Sequence, residues 1–331
     1  MSSKQTATVE ELNSLHDHIG SFSKWSLLYL HCKEKVIKYL DPKTRSNFLT
    51  CSRSDYELED SIPIHVHSIQ IVENRHQWAN KIFQIHVRIQ FSNSFNSNDR
   101  MERRFPGNKL EDAVRFGEKW MKKCRFKFEE LSVEMLDYPI EVSEIKRLSK
   151  CQKVRIRCGS EQMFRWWLQE MPDTLENLEL IAPKTRDFEF SSQFLETVNI
   201  TNARKLFIAG NSEITDQQFL NLKAKSIEME PTALSESAMN ELLKRWSIGE
   251  RQFKCIVLSL KTVSNHQEVL RNLRVRQWDD DFMKERYVCC SKFQEFWGSG
   301  PTFQVWSEVN NDESLIVSFI QTEVIMQCST F

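Results

Sequence analysis

Six short segments with the pattern apolar-x-apolar recur between residues 131 and 258 of this 331-residue chain. They are Leu131-x-Val133, Val154-x-Ile156, Leu178-x-Leu180, Leu206-x-Ile208, Ile227-x-Met229 and Ile256-x-Leu258. Their first members stand 23, 24, 28, 21 and 29 residues apart. Alternation of this kind buries one face of a strand. Parallel pairing needs a crossover of about a dozen residues or more, and each step leaves room for one. Helical stripes lie between the strands: Met163, Phe164, Trp167, Leu168 and Met171 make one, and Met239, Leu242, Leu243 and Trp246 make another. The second starts near Ser235 and ends before Gly249, a residue suited to a helix C-terminus. One strand and one helix per step, stacked side by side, give an α/β solenoid with a mainly parallel sheet.

The spacing falls in the range of about 20–29 residues used by leucine-rich repeats, and the region resembles them. The steps vary and no Asn ladder is visible, so a compact α/β domain with a mixed sheet is the competing reading. Val275 to Phe331 carries an acidic turn at Trp278-Asp279-Asp280-Asp281. Strand-like runs follow at Phe303-Gln304-Val305-Trp306 and from Ser314 to Met326, placed to close the end of the sheet as an atypical cap.

The other organised stretch runs from Trp25 to Ile62. Leu27, Leu28 and Leu30 lead into a helix bearing Val36, Ile37 and Leu40. Asp41 fits an N-cap with Pro42 at the first position of a second helix. Ser52 and Asp55 fit a capping box opening a third, which carries Tyr56 and Leu58. Helices shorter than about 12–15 residues are marginal in water without a partner for their apolar face. The stretch therefore reads as a docking module.

These residues resemble an F-box. The matching positions are Leu30, Val36, Ile37, Leu40-Asp41-Pro42, Arg45 and Cys51-Ser52; Ser26 and His31 stand where the family often has Pro. The resemblance implies binding to the small adaptor subunit of cullin–RING ubiquitin ligases, through Leu27, Leu30, His31, Val36, Ile37, Leu40 and Pro42. Further on, residues 235–254 are similar to the signature of the type 2 F-box-associated domain, matching it at Asn240, Leu243-Lys244, Trp246, Gly249 and Phe253. Asn240, Leu243, Trp246 and Gly249 each also have a plain structural explanation, as a loop-bonding amide, two core side chains and a helix terminus. The expected organisation is a polar tail over 1–23, an F-box over 24–62, a strand pair and linker over 63–107, and an F-box-associated repeat domain over 108–331. In the linker region Ile64 to Ile71 and Phe83 to Phe91 alternate and read as paired strands. Asn108 and Glu111 fit a capping box for a helix to about Lys123, with Glu111–Arg115 and Glu118–Lys122 as i,i+4 pairs.

Chemical motifs are scarce. No GxxxxGK[ST], GxGxxG, HExxH or GxSxG occurs, which removes the common phosphate loops, zincin helices and serine-hydrolase elbows. His65 and His67 share a strand face, but a structural zinc needs four ligands. No cofactor is expected. Nine cysteines at irregular spacing, the vicinal pair Cys289-Cys290 among them, and a first segment without an apolar h-region point to reduced thiols in the cytoplasm or nucleus. There the sequon Asn199-Ile200-Thr201 has no role. The net charge of −1 gives no global field for nucleic acid or membrane. Locally, Arg100 to Lys127 holds ten basic and four acidic residues, with Lys119, Lys122, Lys123, Arg125 and Lys127 interleaved with Trp120, Phe126 and Phe128. Such a patch suits single-stranded nucleic acid, but Trp120 belongs to the core stripe and Phe126 and Phe128 lead into the first repeat strand, so the basic residues read as a solvated helix face, which could equally meet an acidic substrate protein or the F-box module.

The combined expectation is a non-catalytic substrate-recognition subunit of an SCF-type ubiquitin ligase. Its partners would be the adaptor, the cullin assembly and an unknown protein substrate. A nucleic-acid binder or an adaptor-free scaffold is the alternative.

Overall fold

Chain contacts divide the protein into two units, Met1–Ile64 and His65–Phe331. The computed structural model describes residues 25–40, 44–45, 52–62, 66–74, 84–91, 100–124, 128–148, 150–183, 188–262, 265–298, 300–310 and 312–330.

In the first unit a 3₁₀ turn at Trp25–Leu27 precedes helix α1 (Leu30–Tyr39), and α2 spans Arg53–Ser61. Ile37 projects from α1 into a small core with Leu58 and Ile62, with Trp25 packed against it. Polar groups fasten this core. Asp55 receives the Trp25 indole N–H at 2.7 Å and the Ser52 hydroxyl at 2.7 Å, while its backbone N–H donates to Ser52 Oγ at 3.1 Å. Ser52 thus caps α2 as its sequence position predicts, with Asp55 closing the loop through its side chain. Arg45 donates to Glu59 Oε1 at 3.1 Å and to the Ile62 carbonyl at 3.1 Å, and both charged side chains are buried. Asp41 and Pro42 lie outside the described residues.

The second unit opens with strands β1 (Val66–Asn74), β2 (Gln84–Phe91) and β3 (Arg100–Pro106), then helix α3 (Leu110–Lys123) and β4 (Phe128–Glu134). Next come β5 (Lys153–Arg157), α4 (Glu161–Glu170), β6 (Asn177–Ile181), β7 (Glu189–Phe190), α5 (Ser192–Leu195), α6 (Val198–Asn202), β8 (Lys205–Ala209), β9 (Asn211–Ser212), α7 (Asp216–Asn221), β10 (Ser226–Thr232), α8 (Glu236–Ser247) and β11 (Cys255–Leu260). The chain finishes with α9 (His266–Val269), β12 (Val275–Gln277), α10 (Asp280–Glu285), α11 (Tyr287–Trp297), β13 (Thr302–Trp306), β14 (Glu313–Ile320) and β15 (Glu323–Thr330).

Thirteen strands form one sheet, in the order β12-β13-β14-β15-β11-β10-β8-β6-β5-β4-β1-β2-β3. The fold is mixed α/β. The expectation of a mainly parallel sheet holds only for the centre: β1, β4, β5, β6, β8, β10 and β11 pair in parallel, and the flanking strands at both ends pair antiparallel. Short connections explain the change. Only Gln321 and Thr322 separate β14 from β15, far too little for a crossover, so the strand-like run from Ser314 to Met326 folds back on itself as an antiparallel pair. Strands β1 to β3 belong to the same sheet as the rest, because β1 lies in parallel beside β4.

The apolar alternation converts directly into two rows of side chains. Ile71, Val133, Ile156, Leu180, Ile208, Met229, Leu258 and Val324 are successive cross-strand neighbours. Ile69, Leu131, Val154, Leu178, Leu206, Ile227, Ile256 and Met326 form the parallel row. Every one of these side chains is at most 2% exposed, and burying each contributes about 1.5–3 kcal/mol. The helix stripes bury in the same core, with Phe164, Trp167 and Leu168 from α4 and Met239, Leu242, Leu243 and Trp246 from α8.

Helix α3 packs on β1 and β2 at Gly117, where a Cβ would stand 2.6 Å from Ile71 Cδ1. Its entry differs from the expected capping box. A 3₁₀ turn at Gly107–Lys109 takes up Asn108, and no side chain caps the helix. Glu111–Arg115 pairs at 3.4 Å, but Glu118 is buried and turns away from Lys122, which pairs instead with Glu144.

Candidate functional site

Among the described residues two surfaces stand open, one on each unit. On the first, an unusual density of large apolar groups faces solvent within fifteen residues: Leu27 is 76% exposed, Tyr29 79%, Leu30 63%, Val36 37% and Tyr39 90%. The small core uses Ile37 alone from α1, so the rest of the helix's apolar character is left outside. Val36 and Tyr39, three residues apart, are neighbours on the helix surface. His31 is exposed and stacks on Tyr29, ring centroids 6.0 Å apart.

Leu27, Leu30, His31 and Val36 therefore stand where a partner can reach them, and Leu40 is half-buried. Ile37, expected to meet the adaptor, has no exposure and packs instead against Leu58 of α2 and Ile62. Pro42 lies outside the described residues. Tyr29 and Tyr39 are added to the surface by the structure. Their signal in the sequence is their place at the two ends of α1, Tyr29 at its N-cap and Tyr39 as its last residue.

The second surface is the face of the sheet opposite the two apolar rows. At the C-terminal end this face is covered: Trp278, just before α10, packs with Phe282 of α10 and Cys290 and Phe293 of α11 over Val257, Ile316 and Ile325. From β5 to β10 none of the residues on this face is buried among the described residues. Extended parallel sheets are normally covered on both faces, so this open stretch stands out. A groove of about 410 Å³ runs along it, bounded by Trp297 of α11 and lined by Arg155, Glu179, Phe207, Glu228 and Val257 among others.

Charge is divided along this groove. Arg155 is held between Glu134 and Glu179, at 3.4 Å from each, and Lys205 of β8 lines the same groove. On the other side Glu228 has no ion pair among the described residues. Burial, and then the like charges of Glu230, Glu179 and Glu323, push its carboxyl above its ordinary pKa. The aromatic wall is fixed, because the Trp297 indole N–H donates to Gln327 Oε1 at 3.0 Å.

The remaining singled-out residues are architectural. The Asn240 amide is buried and donates to the Val269 carbonyl at 2.8 Å and the Arg271 carbonyl at 2.9 Å, tying α8 to the end of α9. Leu243 and Trp246 are buried beneath α8, and Gly249 adopts φ +79° where that helix ends. His67 pairs with Glu129 at 3.0 Å; His65 lies outside the described residues. Among the described residues no three His, Cys, Asp or Glu side chains are grouped to hold a metal ion. No helix among them is long and apolar enough to cross a membrane. Of the basic stretch, Lys122 is paired with Glu144, and Arg125 and Lys127 lie outside the described residues.

The first unit thus exposes an apolar helical surface, and the second unit, an α/β unit, carries an open groove. No family model matches the chain, and no solved structure matches it. A Caenorhabditis elegans protein described as an uncharacterized F-box protein is 30% identical to it, over 96% of this chain and 91% of that protein. The chain belongs to the F-box protein family.

Proposed function

We propose that this chain is the substrate-recognition subunit of an SCF-type cullin–RING ubiquitin ligase. The first unit docks the adaptor, which carries the cullin assembly, and the second unit captures a protein substrate on its open sheet face. In this reading the second unit is a type 2 F-box-associated domain, and its parallel centre is a leucine-rich-repeat-like solenoid capped by antiparallel strands. The chain takes no part in bond chemistry, and it works in the cytoplasm or nucleus. The observation that carries the reading is the exposure of Leu27, Leu30 and Val36 on the segment that resembles an F-box. Apolar groups of this size clustered in the open are characteristic of interaction sites.

Co-purification with the adaptor tests it. Leu30→Asp combined with Val36→Asp is expected to abolish capture while the core built on Ile37, Leu58 and Ile62 stays intact. Wild-type capture by a folded double variant overturns adaptor docking through this surface.

A further inference from the structure

Besides the groove, the second unit has a smaller cavity at the edge of the sheet where β10 and β11 begin. It holds about 220 Å³ and is lined by Trp246, Phe253, Cys328, Lys225, Lys254 and Glu313 among others. Its floor is apolar and fixed. Trp246 and Phe253 are buried, and the Cys328 thiol donates to the Phe253 carbonyl at 2.7 Å. Its rim is charged. The Lys254 backbone N–H donates to the Lys225 carbonyl at 2.6 Å, and the Cys328 N–H donates to the Lys254 carbonyl at 2.9 Å, so the two lysines stand side by side at the entrances of neighbouring strands. Among the described residues neither lysine has an ion pair, and neither does Glu313. Two cations against one carboxylate leave the lining one positive charge in excess. Arg251 adds to this field: it donates to the Ala224 carbonyl at 2.8 Å, next to Lys225, and has no ion pair among the described residues. Its Nε–H is buried without a partner, and burial pushes its pKa down. Cations gathered on a partly desolvated surface repel, and an anion placed among them relieves the repulsion.

The cavity is smaller than the roughly 300–1,000 Å³ of a site that encloses a whole small ligand, and it suits a single residue. An internal segment of a partner needs a way in and a way out; a chain end needs only the first. The last residue of a protein carries a carboxylate, a side chain and an amide N–H on one Cα. The cavity offers the lysines for the first, the aromatic floor for the second and the Glu313 carboxylate for the third. One negative charge also matches the excess in the lining, whereas a phosphate brings about two. We infer that this cavity captures the C-terminal residue of a partner protein, with an aliphatic or aromatic side chain at that position. The terminal carboxylate lies between Lys225 and Lys254, where charge-assisted hydrogen bonds form, and the side chain packs on Trp246 and Phe253. The site is separate from the open sheet face to which the receptor reading assigns capture.

Short synthetic peptides with a common body and each residue type in turn at the last position test it by fluorescence anisotropy with the full chain. Each is made with a free terminal carboxylate and again as the C-terminal amide. Free-acid peptides ending in an aliphatic or aromatic residue are expected to bind, and amidation should weaken them about ten-fold. Lys225→Gln with Lys254→Gln changes two exposed side chains, and should weaken the same peptides about ten-fold at an unchanged thermal midpoint. Equal binding of acid and amide forms, tighter binding of an amidated peptide phosphorylated at an internal serine, binding unaltered by the double variant, or no binding by any peptide of the set would each overturn the inference. The assay contains no adaptor, so its failure and that of the receptor reading, tested by adaptor co-purification, are distinguishable.

Discussion

The Tyr138 hydroxyl donates to Glu118 Oε1 at 2.9 Å, between the loop after β4 and the buried side of α3. The same carboxylate accepts from the Ser143 hydroxyl, and its other oxygen takes the Glu144 backbone N–H at 2.9 Å. A buried carboxylate is tolerable because three donors converge on it. Tyr138→Phe removes one of them and is expected to destabilise the second unit by about 1–3 kcal/mol, read from chemical unfolding. Glu118→Leu strands all three donors and should cost more. If Tyr138→Phe unfolds at the wild-type midpoint, the network is not a source of stability.

Alkaline pH should weaken the protein through buried acids. Burial pushes the Cys151 thiol up to about 12 and raises Cys158, and burial with the charge of Glu118 holds Tyr138 well above its ordinary value. In the unfolded chain a thiol ionises near about 8.5 and a phenol near about 10. Above those values the unfolded state has lost protons that the folded state still holds, so stability falls as pH rises. Each thiol should take away up to about 1.4 kcal/mol per pH unit between its unfolded and folded values. Urea midpoints measured from pH 8 to pH 10 check this. Cys151→Ala with Cys158→Ala should lower the curve at pH 8 and flatten its decline; an equally steep decline would assign it to other groups.

Ile37 and Leu30 lie on the same helix and should separate cleanly. Ile37 has no exposure, and Ile37→Ala should destabilise the first unit by about 2–5 kcal/mol. Leu30 is 63% exposed, and Leu30→Ala should leave the thermal midpoint almost unchanged while costing about 1–4 kcal/mol of adaptor affinity. Calorimetry of unfolding and of adaptor titration distinguishes them, and equal loss of stability in both would contradict the packing described here.

Trp246 is 5% exposed and lies beneath α8. Trp246→Ala should cost about 3–5 kcal/mol, a large share of the roughly 5–15 kcal/mol typical of a domain. The melting temperature of the second unit should fall sharply, and substrate capture with it, while the adaptor is still bound by the first unit. An unshifted melting temperature with lost substrate binding would make Trp246 a contact residue instead.

Those four cases also mark how far the sequence can be read. Leu178 and Leu180 announce a buried strand face because alternation is local, and their row across the sheet follows from repetition of the same signal. Ile37 and Val36 both fit a helical apolar pattern, and nothing local tells which one meets the module's own core. Glu118 and Lys122 sit at pairing distance on one helix, but the donors that claim Glu118 come from Tyr138 and Ser143, on a later loop. The antiparallel ends escaped for a similar reason: strand direction depends on connection length, and the turn at Gln321 takes its positive φ without the Gly or Asn that usually announces one. The groove was illegible because Phe207, Glu228 and Trp297 are brought together only by the sheet and the helix laid across it.

The reversal of strand direction at each end of the sheet has a consequence for how such a chain can change over time. At one end β3 closes the sheet with Arg100, Arg103 and Arg104, and at the other β12 is three residues long. Charged or very short borders reject an added strand, whether from the same chain or another. Growth is therefore confined to the interior, where a duplicated strand-and-helix segment between β5 and β10 could slot into the two apolar rows without disturbing either border. Relatives of different length are expected to carry their extra residues there, widening the groove as they lengthen, with the borders unaltered.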